Sequence, residues 1–331
     1  MMKAYVLRSY GSADLLDRTD LDRPVPAADE VLVRVRATSV NPYDWHNMRG
    51  EPYVARLMPG GLGLRGPKLS ILGCDMAGQV EAVGAEVTGF RPGDDVFALL
   101  EQGGFAEYVC VREALLAPMP KNLSYEQAAA VPMAAVTALL ALRDQGRLQR
   151  GQKVLVNGAS GGVGTFAVQI ARALGATVTA VCGTRNVDLV RSLGADEVVD
   201  YRTTDFTRTA QRYDLLLDIA GSRSASACRR VLTPGGALVV IGGQAGRWLQ
   251  PAGHAVAVLA AGPWPWVSQR TAMADAVACT AKKQNLITLT ELIEAGQVTP
   301  VIDRRYDFEE IPAAVRYQEE GHAPGKVVVA V

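Results

Sequence analysis

The hydrophobic pattern changes once along the chain. Up to about residue 123 it is that of strands and turns: EVLVRVRATSV (30–40) is rich in β-branched residues, and FRPGDDVFALL (90–100) is a Pro-Gly turn running into an apolar strand. Helix signals are sparse there. From Ser124, which can cap a helix with Gln127 three residues on, short apolar strands alternate with helical segments or loops. The strands predicted are 153–157, 176–182, 197–199, 213–219 and 237–241, with a last one near 277–281. Alternation of that kind implies a parallel sheet covered on both faces. The tail predicts a helix (285–296), a strand, a second helix (308–321) and a final strand (326–331). There is no internal repeat and no low-complexity segment.

Composition narrows the classes. At 49% apolar, 331 residues suit two ordinary cores better than one. Lys plus Arg and Asp plus Glu both total 34, so no net field gathers phosphate backbones or anionic lipid, and nucleic acid is excluded as the expected partner. The longest apolar runs, 128–142 and 255–267, are short and broken by proline, and the N-terminus MMKAYVLRSYGSADLL has no apolar core of signal-peptide length. A cytoplasmic protein without a membrane partner is expected. The cysteines at 74, 110, 182, 228 and 279 form no CxxC pair, which predicts reduced thiols rather than a disulfide framework or a zinc lobe.

The most informative stretch is LVNGASGGVG (155–164), which follows an apolar strand and opens a helix. In that setting Ala159, Gly161 and Gly164 hold the three positions of a dinucleotide fingerprint. Gly161 allows close approach of a pyrophosphate, Gly164 allows the helix to pack on the strand, and the N–H groups of the helix start hold the phosphates. A tight turn with no ligand is the alternative. An NAD site usually places an acid at the end of the second strand, on the ribose 2′-OH, whereas here that strand ends VCGTRN. Gly183, Thr184 and Arg185 leave room and supply a cation, which suits the extra phosphate of NADP. A solvated surface arginine is the alternative for Arg185.

Further motifs span nearly the whole chain: VNPYDWHNMRG (40–50), LGCDMAGQVEAVG (72–84), GGFAEYVCV (103–111), AAAVPMAAVTAL (128–139), LGADEVVDY (193–201), VLTPGGALVVIGG (231–243) and GHAPGKVVV (321–329). Together with the loop they resemble the zinc-free quinone oxidoreductases, the ζ-crystallin-like branch of the medium-chain dehydrogenase/reductase superfamily. The resemblance implies an α/β fold: a GroES-like β-rich catalytic domain from 1–123 and 284–331, and a Rossmann domain, a doubly wound parallel sheet, over 124–283. Zinc-dependent cousins carry a catalytic Cys near position 41, Gly-His-Glu where this chain has Gly73-Cys74-Asp75, and a four-cysteine lobe near residue 100. Here Asn41 stands at the first, no histidine stands at 74, and the lobe is missing. Cys74 and Asp75 alone cannot supply the three protein ligands of a catalytic zinc, and His46 as a third is less expected than a pocket-lining histidine. No metal is expected.

Without a metal, oxidising a simple alcohol is unfavourable, and no Tyr-x-x-x-Lys pair occurs. Hydride transfer from NADPH to a quinone or other conjugated carbonyl is the expected reaction, because the acceptor disperses the incoming charge and a few hydrogen-bond donors suffice. An enoyl-thioester or polyketide enoyl reductase stays open, and so does a non-catalytic NADPH-binding accessory or sensor protein. The resemblance implies that Asn41 lies beside nicotinamide and substrate, with Asp44 in the same turn and Thr137 approaching the nicotinamide. Tyr53 is a candidate donor to the substrate oxygen, although relatives often carry their tyrosine where this chain has Pro52. An Asx-type turn around Pro42 accounts equally for Asn41 and Asp44. For the cofactor the resemblance adds Ser160, Gly162, Val163, Cys182, Ala220, Ile241, Gly242 and Gly243, with Tyr201 at the adenosine end. Pro324 stands where the family's tail commonly has a basic residue. The apolar segment 250–270, with two tryptophans between prolines, reads as a lid, a dimer contact or packing. A homodimer is expected through the sheet edge near 277–281.

Overall fold

The computed structural model describes residues 1–57, 62–64, 66–68, 70–243, 248 and 268–331. The segment 250–270, with both of its tryptophans, lies outside the described residues as far as 267. The chain divides into two compact units, one of Met1–Val136, Val277–Ala295 and Pro300–Val331, the other of Thr137–Ala276 and Gly296–Thr299. The changes of texture at 123/124 and 283/284 fall inside the first unit. There the helix Tyr125–Ala129 packs on the sheet, and so does the helix Lys282–Glu294.

The first unit opens with β1 (Met2–Leu7), β2 (Leu16–Leu21), β3 (Glu30–Val40), β4 (Asp75–Val83), β5 (Asp95–Leu99), β6 (Tyr108–Arg112) and β7 (Leu116–Pro118). The second holds β8 (Lys153–Asn157), β9 (Thr177–Cys182), β10 (Glu197–Asp200), β11 (Tyr213–Asp218), β12 (Leu232–Val240) and β13 (Arg270–Met273), after which β14 (Ile302–Asp307) and β15 (Lys326–Ala330) return to the first. In the first unit the main sheet runs β14-β15-β3-β4-β5-β7, with β6 also on β3. One of its cores gathers Val31, Val33, Met76, Val96 and Leu116; another gathers Trp45, Met48, Phe105, Ile311 and Val327.

Register at one end of this sheet matters most. Val327 of β15 pairs with Val40 of β3, and Ser39 of β3 pairs with Asp75 of β4. Asn41 at the end of β3 therefore stands beside Lys326 on one side and Asp75 on the other, although Lys326 is 285 residues away in sequence. Gly50 ends the helix Pro42–Arg49 in the left-handed conformation at φ +64.

The second unit is the parallel sheet expected, in the order β10-β9-β8-β11-β12-β13. Counted from β8, this is the doubly wound order 3-2-1-4-5-6 of a Rossmann fold. Leu155, Val181, Phe206, Tyr213 and Leu238 are in its core, and β8, β9, β11 and residues 236–240 of β12 are buried almost throughout, whereas β10 at the sheet edge is only half-buried. The last strand is not the one expected. The place beside β12 is taken by Arg270–Met273, whereas 277–281 carries no strand and leads into the helix Lys282–Glu294. Its run of apolar residues lines a cavity of about 550 Å³ with Leu100, Cys110, Val111 and Leu115. A dimer contact through an edge at 277–281 has no strand to rest on.

Candidate active site

Asn41 is the N-cap of the helix Pro42–Arg49 and is 3% exposed. Its carboxamide is held on every side: Nδ2 donates to Asp75 Oδ2 at 2.9 Å and to Cys74 Sγ at 3.3 Å, while Oδ1 accepts from Lys326 Nζ. Lys326 Nζ also donates to Asp75 Oδ2 at 3.3 Å. Asp75 Oδ2 takes a third bond from Ser39 Oγ at 2.5 Å, and Oδ1 accepts from Met133 N at 2.7 Å, at the start of the helix Pro132–Leu139. Ser39, Asn41, Cys74, Asp75 and Lys326 are all buried, and a polar network of this kind is stable only when its groups are matched.

Asp44 joins from below. Its carboxylate accepts from Asn41 N at 2.8 Å and Gly73 N at 2.9 Å, so the turn around Pro42 is held by the Asp44 side chain, whereas Asn41 Oδ1, which an Asx-type turn would need, is on Lys326. Burial pushes the Asp44 carboxyl up to about 7, against the pull of those two bonds. Because the folded chain holds this proton more tightly than the unfolded chain, Asp44 favours folding most below the carboxyl's ordinary value of 3.8, and that contribution is lost as pH rises towards 7. Urea unfolding across this window should show the slope, and Asp44→Asn should flatten it; an unchanged slope would show that Asp44 is not its source. The Cys74 thiol is also pushed well up, first by burial and then by Asp44 and Asp75, which keeps it neutral.

Of the other residues expected near the chemistry, Thr137 is buried on the helix Pro132–Leu139. Tyr53 is half-buried, with the Arg56 guanidinium 4.8 Å from its ring centre; the same guanidinium lies 4.2 Å from the ring centre of Tyr10. Tyr43, two residues after Asn41, is half-buried, and its hydroxyl is pushed up to about 12 by burial, with Cys74 and Asp44 adding to the effect. His46 is held by contact of Nδ1 with the Glu51 carbonyl at 2.9 Å and by stacking on Trp45 at 3.7 Å. Among the described residues no group of three His, Cys, Asp or Glu side chains is placed to hold a metal.

In the second unit the fingerprint loop has the shape its residues predict. A Cβ on Gly164 would lie 2.1 Å from Gly158 O and 2.7 Å from the Ala159 backbone, so only glycine lets the helix Gly162–Ala173 approach β8 this closely. At Gly161 the nearest atom to such a Cβ is Gly158 O at 3.7 Å, an ordinary contact, so this position of the helix start is not crowded. Ala159 is fully buried and Ser160 Oγ accepts from Asn186 Nδ2 at 3.0 Å. A Cβ on Gly158 would be 3.3 Å from Ala220 N, and one on Gly242 would be 3.1 Å from Ile219 O. Ile241 N donates to Asp218 O at 3.0 Å. The ends of β8, β11 and β12 thus meet at the carboxyl edge where strand order reverses, the usual place for a ligand in such sheets. Gly162 and Val163 open the helix Gly162–Ala173, and Gly243 follows β12 by three residues.

At the end of β9, Cys182 is buried and Thr184 and Arg185 are exposed. Tyr201 is 51% exposed, and its hydroxyl would lie 3.1 Å from a Cβ on Gly183. An acid stands here after all. Asp200 ends β10, pairs with Cys182, and accepts from Thr184 Oγ1 at 2.6 Å and from Arg202 N at 2.9 Å. Those bonds hold its carboxyl below the usual range. A search confined to the second strand cannot find it, because it arrives on the neighbouring one.

Two stretches of the chain match known families. The description "Alcohol dehydrogenase GroES-like domain" fits residues 27–121 and "Zinc-binding dehydrogenase" fits 193–329. The chain is 33% identical to a chloroplast envelope quinone oxidoreductase homolog of Arabidopsis thaliana, over 99% of this chain and 98% of that one. It is 32% identical to a 2-methylene-furan-3-one reductase of Solanum lycopersicum, over 99% and 79%. The chain belongs to the quinone oxidoreductase family of the medium-chain dehydrogenase/reductase superfamily. Solved structures agree: the quinone oxidoreductase from Coxiella burnetii superposes with a TM-score of 0.84 at 27% identity, over 100% and 99% of the two chains. The CurK enoyl reductase does so at 0.85 and 28%, over 99% of each. The first unit is therefore the GroES-like domain of this family and the second its Rossmann domain.

Sequence reasoning brought Asn41 and Asp44 together but missed Lys326, Ser39 and Asp200. The one signal for Lys326 was its place as a lysine opening the wholly apolar run VVVAV. Ser39 and Asp200 had none beyond strand ends.

Proposed function

We propose that this chain is an NADPH-dependent reductase of quinones or other conjugated carbonyls that works without a metal. The observation that carries the reading is at positions 41, 74 and 75, where the resemblance puts ligands in zinc-dependent cousins. Here Asn41 and Asp75 turn instead on the chain's own buried cation, Lys326, and Cys74 is hydrogen-bonded to the same carboxamide. An ammonium in that place offers no open coordination position for a substrate alcohol. NADPH, when bound, supplies the hydride. The chain's part is to hold the nucleotide on the 158–164 loop and to set donors against the oxygen on which negative charge grows.

The test is turnover of NADPH by the purified chain with a panel of quinones, enones, enoyl thioesters and simple aldehydes, before and after treatment with a strong chelator. Quinones and enones should be reduced at a rate the chelator does not change; loss of activity together with one zinc per chain would sink the metal-free reading. The likeness to the CurK enoyl reductase favours the second reading, which faster reduction of enoyl thioesters would establish.

Preference for NADPH is assigned to Arg185. Charge-assisted bonds to a phosphate contribute about 1.5–3 kcal/mol, so Arg185→Ala should weaken NADPH binding roughly ten- to a hundredfold and leave NADH nearly unchanged. Asp200, anionic beside Thr184, opposes the same phosphate, and Asp200→Asn should widen the preference. Fluorescence titration of both nucleotides decides: equal weakening of both by Arg185→Ala contradicts the assignment.

A further inference from the structure

The contacts of Lys326 say more than charge balance. It is 3% exposed, and its Nζ meets Asn41 Oδ1 and Asp75 Oδ2. A carboxamide can be seated either way round, but an ammonium only donates and a carboxylate only accepts. Between these two neighbours one seating is matched, with Oδ1 on Lys326 and Nδ2 on Asp75. The reversed seating sets donor against donor and acceptor against acceptor. The same contact draws electron density from Nδ2 through the amide, in surroundings of low dielectric where such polarisation is strong. Stability does not require this arrangement, since well-packed apolar residues commonly replace a buried ion pair at little cost.

We propose that Lys326 is a positioning residue for the reduction: its buried ammonium, held by Asp75, fixes and polarises the carboxamide of Asn41. The proposal rests on the reductase reading, in which Asn41 lies beside nicotinamide and substrate.

The full-length chain is compared with Lys326→Met, Lys326→Gln, Asn41→Ala and Lys326→Met/Asn41→Ala, by kcat and KM with NADPH and a 1,4-benzoquinone, by NADPH titration and by urea midpoint. Lys326→Met should lower kcat about tenfold or more, the worth of one charge-assisted bond, and leave the NADPH Kd in place. Lys326→Gln keeps a donor facing Oδ1 and should recover part of the loss. In the Asn41→Ala background Lys326→Met should lower kcat no further. A native kcat in Lys326→Met, or an equal fall in both backgrounds, overturns the proposal. If Lys326→Met does not fold, the charge-neutral Lys326→Met/Asp75→Asn replaces it with the same expected loss. A native chain that turns over no acceptor sinks the reductase reading instead. The midpoints then still decide whether Lys326 holds Asn41: non-additive shifts sustain that hold and additive ones refute it.

Discussion

Gly164→Ala is expected to unfold the Rossmann unit or to cost it more than about 4 kcal/mol, the range reached when a substitution forces backbone apart. The added methyl would sit 2.1 Å from Gly158 O and 2.7 Å from two Ala159 backbone atoms, none of which is a flexible side-chain end that could move aside. Relief requires the helix Gly162–Ala173 to lift off β8, and that helix buries Phe166, Ala167, Val168 and Ile170. Gly161→Ala is the control. Its methyl meets nothing closer than 3.7 Å and its φ is −80, a conformation alanine adopts freely, so stability should hold or rise by about 0.4–1 kcal/mol. Gly161 holds the fingerprint position that a pyrophosphate approaches, so the same methyl should lower nucleotide affinity although the fold is intact. Circular dichroism melts and nucleotide titration separate the two. Native-like melting of Gly164→Ala would mean the helix and strand are not packed as described.

The second large effect is expected at Asp75. Asp75→Ala removes the acceptor for Ser39 Oγ, Asn41 Nδ2, Met133 N and Lys326 Nζ at once, and leaves an ammonium buried with its charge unmatched. Breaking one partner of a buried pair costs about 3–5 kcal/mol. Lys326→Met should cost less, because Asp75 keeps three donors around its carboxylate. Urea unfolding of the two variants measures the asymmetry through the midpoint at unchanged m. Equal midpoints would show that the carboxylate does not organise the cluster.

These contacts mark the limit of what can be read along the chain. Whatever depends on neighbours in sequence was legible. The β8 strand, the glycine turn and the helix that follows are within a dozen residues of each other, and steric demand at Gly164 expresses itself as residue type. Ser124 and Gln127 form their capping box for the same reason. The site's chemistry lies in pairings that only strand register creates. Lys326 reaches Asn41 because β15 runs antiparallel to β3, and Asp200 reaches Thr184 because β10 lies beside β9. The misplaced edge strand has the same origin. Residues 277–281 have the composition of a strand, but membership of a sheet is settled by which segment fills the place beside β12, and Arg270–Met273 fills it. By itself the sequence determined the strand, glycine turn and helix of 153–173, the existence of five of the parallel strands and the family, since each is written in local spacing. Only the tertiary structure decided the partners of Asn41 and the acid beside Thr184, because hydrogen bonds between distant strands leave no periodic trace in either one.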